Sequence, residues 1–464
     1  MDTDLGVDRS DPLAAVSPLD GRYAGRTAPL SAYTSEAALI RARVEVEVRY
    51  LQALADEPGV DLTLTDDEQA TLDDVVAGFD GADARLVKRL ETEGAAGYAA
   101  TNHDVKAVEY FLRTRTPERL HPWIHFALTS EDVNNLARRL LVGPAVEEVL
   151  MPALQEVREE LVDAAHEHAE LPMLARTHGQ PATPTTYGRE MAVYAARLGR
   201  GVGRIERGVD GLAGKLAGAS GSYAAHDAAY PGVDWPAFAA DFVARLELDH
   251  AGPTTQINPC DDLAQLFDAL RGVNGVLVDL ARDAWLYVSD RYLGQEATAG
   301  ETGSSTMPHK VNPIDFENAE GNLSKAGSDL GFLADYVTTS RLQRDLSDST
   351  VKRNVGAALA HCLIGYTKLA DGLAGVVPNE QVMRRDLADN PEVIGEAVQT
   401  ILRREGDTEA YERVKELTRG ERVELADFRA LFADLDVPEA VREELAGLAP
   451  ETYVGRAARL ANDA

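Results

Sequence analysis

The 464-residue chain sets 77 acidic against 46 basic side chains, a net charge of −31 at neutral pH, with 45% apolar and 27% charged residues. This is globular rather than disordered composition, and so large an acid excess repels phosphate backbones and argues against nucleic-acid binding. No stretch nears the ~18 uncharged apolar residues that a membrane-spanning helix needs.

At ~150 residues per domain the length suggests about three domains. Met1–Pro12 holds four Asp and no apolar run, unlike a signal or transit peptide. Cys260 and Cys362 are the only cysteines, too few for a disulfide scaffold or a metal site, so small core residues in a reducing cytoplasm are expected. Of the 46 basic residues 8 are Lys and 38 Arg. Two origins fit that bias: a halophilic protein kept soluble at high salt, or a genome rich in Arg codons. Stability that rises with KCl in unfolding experiments supports the first, and stability independent of salt removes it.

In chain order, residues up to about Pro122 read as shorter helices after a turn-rich start at Ser17-Pro18-Leu19-Asp20-Gly21-Arg22-Tyr23. Thr101-Asn102-His103-Asp104 and Thr129-Ser130-Glu131-Asp132-Val133-Asn134-Asn135 have the character of helix N-caps. Their many polar donors also suit ligand contacts. Met151–Glu170 shows helical spacing through Leu154, Val157 and Leu161. A seam of Met191, Tyr194, Leu198, Val202, Ile205, Val209 and Leu212 follows, at the 3/4 spacing of a packed helix. Six glycines between Gly199 and Gly214 would let backbones approach closely there.

Two more seams complete the pattern, one from Leu263 to Ala284 and one from Phe316 to Val337, the latter with Asn312 as N-cap and Pro313 as first helical residue. Strand-like alternation is scarce, and no Gly-rich nucleotide loop occurs. The expectation is an all-α fold: an N-terminal helical domain at 1–122, a central long-helix bundle at 123–375, and a small C-terminal helical domain at 376–464.

Three connections carry candidate chemistry. Residues 300–313, Gly/Ser-rich and leading into a helix N-terminus beside Lys310, suit anion binding, although a flexible connector has the same composition. Residues 175–186 hold His178 among Thr, Gly and Gln, where an imidazole titrates near neutrality; an exposed cap residue fits equally well. Residues 340–354 form a basic, hydroxyl-rich segment in an acidic chain, suited to phosphate or carboxylate, or to salt bridges with the acidic surface. His166 and His168 lie about 200° apart on a helix, and no clustered Cys/His spacing occurs, so no metal is expected.

The loop Ser304-Ser305-Thr306-Met307-Pro308-His309-Lys310-Val311-Asn312-Pro313 resembles the signature loop of the fumarase/aspartase superfamily. Within it the chain is similar to adenylosuccinate lyases of the bacterial purine-pathway type. The resemblance rests on SPLDGRY (17–23), TNHDVKAVEYFL (101–112), HFALTSEDVNN (125–135), RTHGQPATPTT (176–186) and TTQI (254–257), continued by DFENAEGN (315–322), RLQRDLSDSTVKRN (341–354) and ELTRGERV (416–423). It spans nearly the whole chain from Val16. Cys260, where the subfamily has His, and GSYAAH at 221–226 depart from the pattern.

This resemblance implies three helical domains, a homotetramer built on a helical core with shared active sites, and no cofactor. The implied reaction eliminates fumarate from small succinylated substrates, adenylosuccinate and SAICAR. Ser304 is the implied general base and His178 the general acid. Implied substrate ligands are Arg22, Tyr23, Asn102, His103 and Asp104; Thr129, Ser130 and Gln256; and Ser305, Lys310, Val311, Asn312 and Asn318. Arg344 and the run Ser349, Thr350, Val351, Lys352 and Arg353 complete them. Argininosuccinate lyase activity and a non-catalytic scaffold are the rival readings, separated by assaying fumarate release from each substrate.

Overall fold

A computed structural model describes residue 8 and residues 11–295, 311–418 and 423–464. Nine helices carry the argument: α1 (Glu36–Asp56), α2 (Asp104–Arg115), α3 (Ser130–Ala145), α4 (Met151–Glu167), α5 (Tyr187–Asp210), α6 (Asp261–Ser289), α7 (Ile314–Val337), α8 (Val355–Ala374) and α9 (Glu380–Ala388). The strands among the described residues are two or three residues long and form four pairs. They are β1 (Pro172–Met173) with β4 (Thr185–Thr186), β2 (Arg176–Thr177) with β3 (Gln180–Pro181), β5 (Ala213–Gly214) parallel to β6 (Asp249–His250), and β7 (Leu293–Gln295) with β8 (Val376–Pro378). The fold is all-α, as the seams imply.

The apolar seams are the buried faces. Every seam residue of α6, from Leu263 to Ala284, and of α7, from Phe316 to Val337, is buried. On α5, Met191, Tyr194, Leu198 and Ile205 are buried while Val202 and Val209 are partly exposed. A Cβ on Gly208 would stand 3.2 Å from the Leu266 Cα, so this glycine sets how near α5 and α6 approach. Helix α7 begins at Ile314, one residue beyond the expected start, because the Asn312 carbonyl accepts from the Ile314 N–H and the helical ladder opens with the Glu317 N–H on the Pro313 carbonyl.

The chain divides into two compact units. Unit 1 comprises residues 1–154, 201–275 and 321–366; unit 2 comprises 155–200, 276–320 and 367–464. Unit 1 has an apolar core where α1, α2 and α3 meet Trp235, Phe238 and Phe242. Unit 2 has a C-terminal core that includes Ile394, Val398, Phe428, Phe432 and Leu445, and a small cluster of Leu174, Leu387 and Val393.

Inside unit 1, Tyr50 packs edge-on against Phe238 and Phe242, with ring centroids 6.0 and 5.6 Å away. Its hydroxyl donates to the Phe126 carbonyl at 3.0 Å and lies 3.1 Å from His226 Nε2. With the phenolic proton so used, His226 Nε2–H is the donor to the Tyr50 oxygen. Burial pushes the His226 imidazole down to about 4, against the pull of Asp132. Its unfolded value is near 6.5, so as pH falls the unfolded chain takes the proton first. The stabilisation is therefore complete above 6.5 and is lost between there and about 4, an amount of ~3 kcal/mol at ~1.4 kcal/mol per pH unit. Urea unfolding of wild type and His226→Gln between pH 7.5 and 4.5 tests this: the gap between them should narrow as pH falls, and parallel curves would refute it.

Candidate active site

Unit 1 gathers most of the expected ligands around two helix starts. At the first, His103 is the N-cap of α2: its Nδ1 accepts from Lys106 N–H at 3.3 Å, and Asn102 before it takes the left-handed conformation at φ 48°. Asp104 is held by Arg43, whose Nη2 lies 2.6 Å from its carboxylate, and Arg353 approaches to 3.8 Å. Burial raises the Asp104 carboxyl, but the Arg43 charge and hydrogen bonds outweigh it and hold it below the usual range. The second Arg43 donor, Nε, reaches Asn134 Oδ1 at 2.8 Å and so ties the 101–104 motif to the 129–135 motif.

At the second helix start, Thr129 is the N-cap of α3, and its N–H donates to Asp132 Oδ2 at 2.8 Å. Asp132 is fully buried and also accepts from Ala217 N–H at 2.9 Å and Gly218 N–H at 3.2 Å. The buried Lys215 ammonium completes its shell at 2.7 Å; burial lowers that ammonium's pKa despite Asp132. The 215–223 turn then leans on residues 254–256: a Cβ on Gly221, at φ 72°, would sit 2.1 Å from the Thr254 carbonyl oxygen. Only glycine permits that approach, and it places Tyr223 and Gln256 in neighbouring segments.

The basic segment closes on the same helix start. Lys352 donates to Asp348 at 2.7 Å and stands 3.7 Å from Glu131, and Arg344 lies 3.9 Å from Glu131. Burial disfavours the Lys352 ammonium, yet the Glu131 and Asp348 carboxylates raise it, so it stays protonated. Glu131 Oε1 and Arg344 Nε are buried with no hydrogen-bond partner among the described residues. Each such group costs ~1–3 kcal/mol until something satisfies it, so the cluster is suited to a ligand that both donates and accepts. Beside it, a cavity of about 180 Å³ is bordered by Arg138, Lys352 and Arg353. Ser349 and Val351 are half-buried, Thr350 is exposed, and Arg22 and Tyr23 lie in the turn before the short helix Ala24–Thr27.

Unit 2 holds the remaining candidates. Residues 172–186, expected to be a plain connection, form a β-hairpin, with Arg176 opposite Pro181 and Thr177 opposite Gln180. His178 and Gly179 make its two-residue turn at φ 54° and 72°. This is the doubly positive turn that matches the twist of a hairpin, and His tolerates it better than most side chains. His178 is exposed at the tip. Asn312 and Asn318 are half-buried and Val311 exposed, while Gln295 Nε2 donates to the Val311 carbonyl at 3.0 Å. Ser304, Ser305 and Lys310 lie outside the described residues.

Sequence reasoning missed Arg43, Lys215 and Asp348. A signal existed for the first: Ile40, Arg43, Glu47, Leu51 and Leu54 share one 3/4-spaced face of α1, so two charges sit in an apolar seam. Charge on a buried face implies a partner.

Two family models match the chain, one described as Lyase over residues 21–326 and one as Adenylosuccinate lyase C-terminal over 340–454. The adenylosuccinate lyase of Escherichia coli K12 is 43% identical, covering 97% of this chain and 98% of that protein. Those of Legionella pneumophila strain Corby (42%; 97% and 98%) and Dictyostelium discoideum (42%; 96% and 97%) are similarly close. Among solved structures, fumarate lyase from Mesorhizobium sp. BNC1 shares the fold at TM-score 0.74 and 21% identity, over 95% of this chain and 97% of that one. So does a 3-carboxy-cis,cis-muconate lactonizing enzyme from Pseudomonas putida, at 0.72 and 21%, over 94% and 96%.

The buried pair makes a testable claim. Asp132→Asn strands the Lys215 ammonium away from water and should cost ~3–5 kcal/mol in urea unfolding, whereas Asp132→Asn with Lys215→Met should recover part of that loss. A single variant within 1 kcal/mol of wild type, or a double variant worse than the single, would contradict it.

Proposed function

The chain belongs to the adenylosuccinate lyase family, and we propose that it eliminates fumarate from adenylosuccinate to give AMP, and from SAICAR to give AICAR, in purine nucleotide synthesis. The observation that carries this reading is identity of 42–43% running nearly end to end with adenylosuccinate lyases, through both the Lyase and the C-terminal matches.

The reaction removes a proton from the succinyl carbon next to a carboxylate, and the nitrogen leaves from the neighbouring carbon. Charge then builds beside an existing negative group, so preorganised positive potential matters more than a strong base. Lys310 and the backbone N–H groups leading into α7 supply it. Ser304 takes the proton, activated by exclusion of water and by that positive field. His178 protonates the departing nitrogen. The hairpin supports its part, because it leaves His178 exposed at its tip.

Arg344, Ser349 and Arg353 bind the phosphate or the succinyl carboxylates, and Arg22, Tyr23, Asn102, His103, Asp104, Thr129, Ser130, Gln256, Ser305, Asn312 and Asn318 shape the rest of the pocket. The unsatisfied polar atoms of Glu131 and Arg344 support a polar ligand there. Three domains, at 1–122, 123–375 and 376–464, assemble as a cytoplasmic homotetramer whose active sites draw on more than one subunit. Exposed apolar side chains on the long helices, Trp285 and Leu286 on α6 and Phe332 on α7, support such assembly.

The loss of the adenylosuccinate chromophore, followed by absorbance in low and high KCl, tests the activity; absence of turnover in both would refute it. Ser304→Ala should abolish turnover while substrate still binds, and near-normal turnover would reassign the base. His178→Ala should slow kcat roughly 10²–10⁴-fold and change the pH–rate profile; an unchanged profile would remove it as the acid.

A further inference from the structure

Within unit 2 the His178 hairpin is anchored at the Asp386 carboxylate on one arm and at Glu396 on the other. Arg176, on β2 two residues before His178, donates from Nη2 to Asp386 Oδ2 at 2.8 Å. The Tyr292 hydroxyl donates to the same oxygen, and Asn390 Nδ2 lies 3.3 Å from the other one, Oδ1. Tyr292 immediately precedes β7, and its carbonyl accepts from Asn379 N–H at 2.7 Å, at the residue that caps α9. Asp386 lies on α9 itself. Beneath the polar contacts, Leu174 of the hairpin packs with Leu387 and Val393. On the other arm of the hairpin, the Thr183 hydroxyl donates to Glu396, which also accepts from Tyr453 Oη at 3.1 Å.

A two-residue turn on strands of two residues has little stiffness of its own, because an isolated hairpin is marginal in water. What fixes the tip is therefore the base. Asp386 is one acceptor shared by the hairpin through Arg176 and by the start of β7 through Tyr292, and α9 carries it on a rigid element. Burial and the Asp386 charge both push the Tyr292 phenol upward, so it remains a donor across the working pH range. Glu396 provides a second anchor on the opposite arm, so loss of Asp386 loosens the hairpin without releasing it.

We infer that Asp386 is a positioning residue for the reaction, holding the His178-bearing hairpin through Arg176 and Tyr292 so that the imidazole meets the departing nitrogen. This rests on the general-acid role proposed above for His178. Positioning of this kind acts on the transition state more than on substrate binding, because a small misplacement of a proton donor weakens transfer without removing a ligand contact.

The test is a double-mutant cycle on the full-length protein with adenylosuccinate. Asp386→Asn should lower kcat roughly 10-fold with KM changed less than about 2-fold, and should keep the far-ultraviolet circular dichroism of wild type. In the His178→Ala background the same change should alter kcat less than about 2-fold, because a displaced hairpin then carries nothing to displace. Arg176→Met should behave as Asp386→Asn does, and the two together should cost no more than either alone. Equal 10-fold losses in both backgrounds, or a loss appearing only in KM, would show a structural role and overturn the inference. Should His178→Ala itself turn over normally, the general-acid reading falls and this inference with it. Should His178→Ala be slow but additive with Asp386→Asn, only the positioning inference falls.

Discussion

The polar half of unit 1 depends on one carboxylate taken wholly out of water. Asp132 has no solvent to satisfy it, so it must collect its partners from the protein: the Lys215 ammonium and the N–H groups of Thr129, Ala217 and Gly218. Those partners come from the first turn of α3 and from a segment 85 residues further along the chain. An ionised group buried without them would cost several kcal/mol, so the arrangement is close to all-or-none. Thr129 and Ser130 inherit their placement from it, and the 215–223 turn inherits its path toward Thr254 and Gln256.

Around that fixed point the remaining charges are looser, and the looseness has chemical meaning. Glu131 faces Arg344 and Lys352 at 3.9 and 3.7 Å, too far for direct hydrogen bonds, while Lys352 keeps a close bond to Asp348. A purely structural ion cluster would close those gaps, because buried polar atoms are expensive when unpaired. Glu131 Oε1 and Arg344 Nε are left without hydrogen-bond partners among the described residues, so the cluster keeps unused donor and acceptor capacity.

Unit 2 solves a different problem. An exposed imidazole sits on a short turn, and the contacts that fix the hairpin lie at its base. Backbone pairing, a small apolar cluster under Leu174 and carboxylate anchors at Asp386 and Glu396 share the task. Binding and catalytic residues are commonly found on loops fixed in this way by regular structure.

The sequence by itself determined the all-α class, the long helices and the two helix N-caps, because 3/4 apolar spacing and capping chemistry are local and survive without knowing any neighbour. It also singled out His178 and the 340–354 segment by composition and resemblance. It could not yield the hairpin at 172–186, since pairs of two-residue strands have no period to detect, nor the roles of Arg43, Lys215 and Asp386. Those are decided by tertiary structure: Arg43 meets Asp104 61 residues away, and Asp386 meets Arg176 across 210. A buried or anchoring charge declares only that a partner exists; which one it takes is set by how the chain packs, because Coulomb attraction and hydrogen bonding act through space and not along sequence.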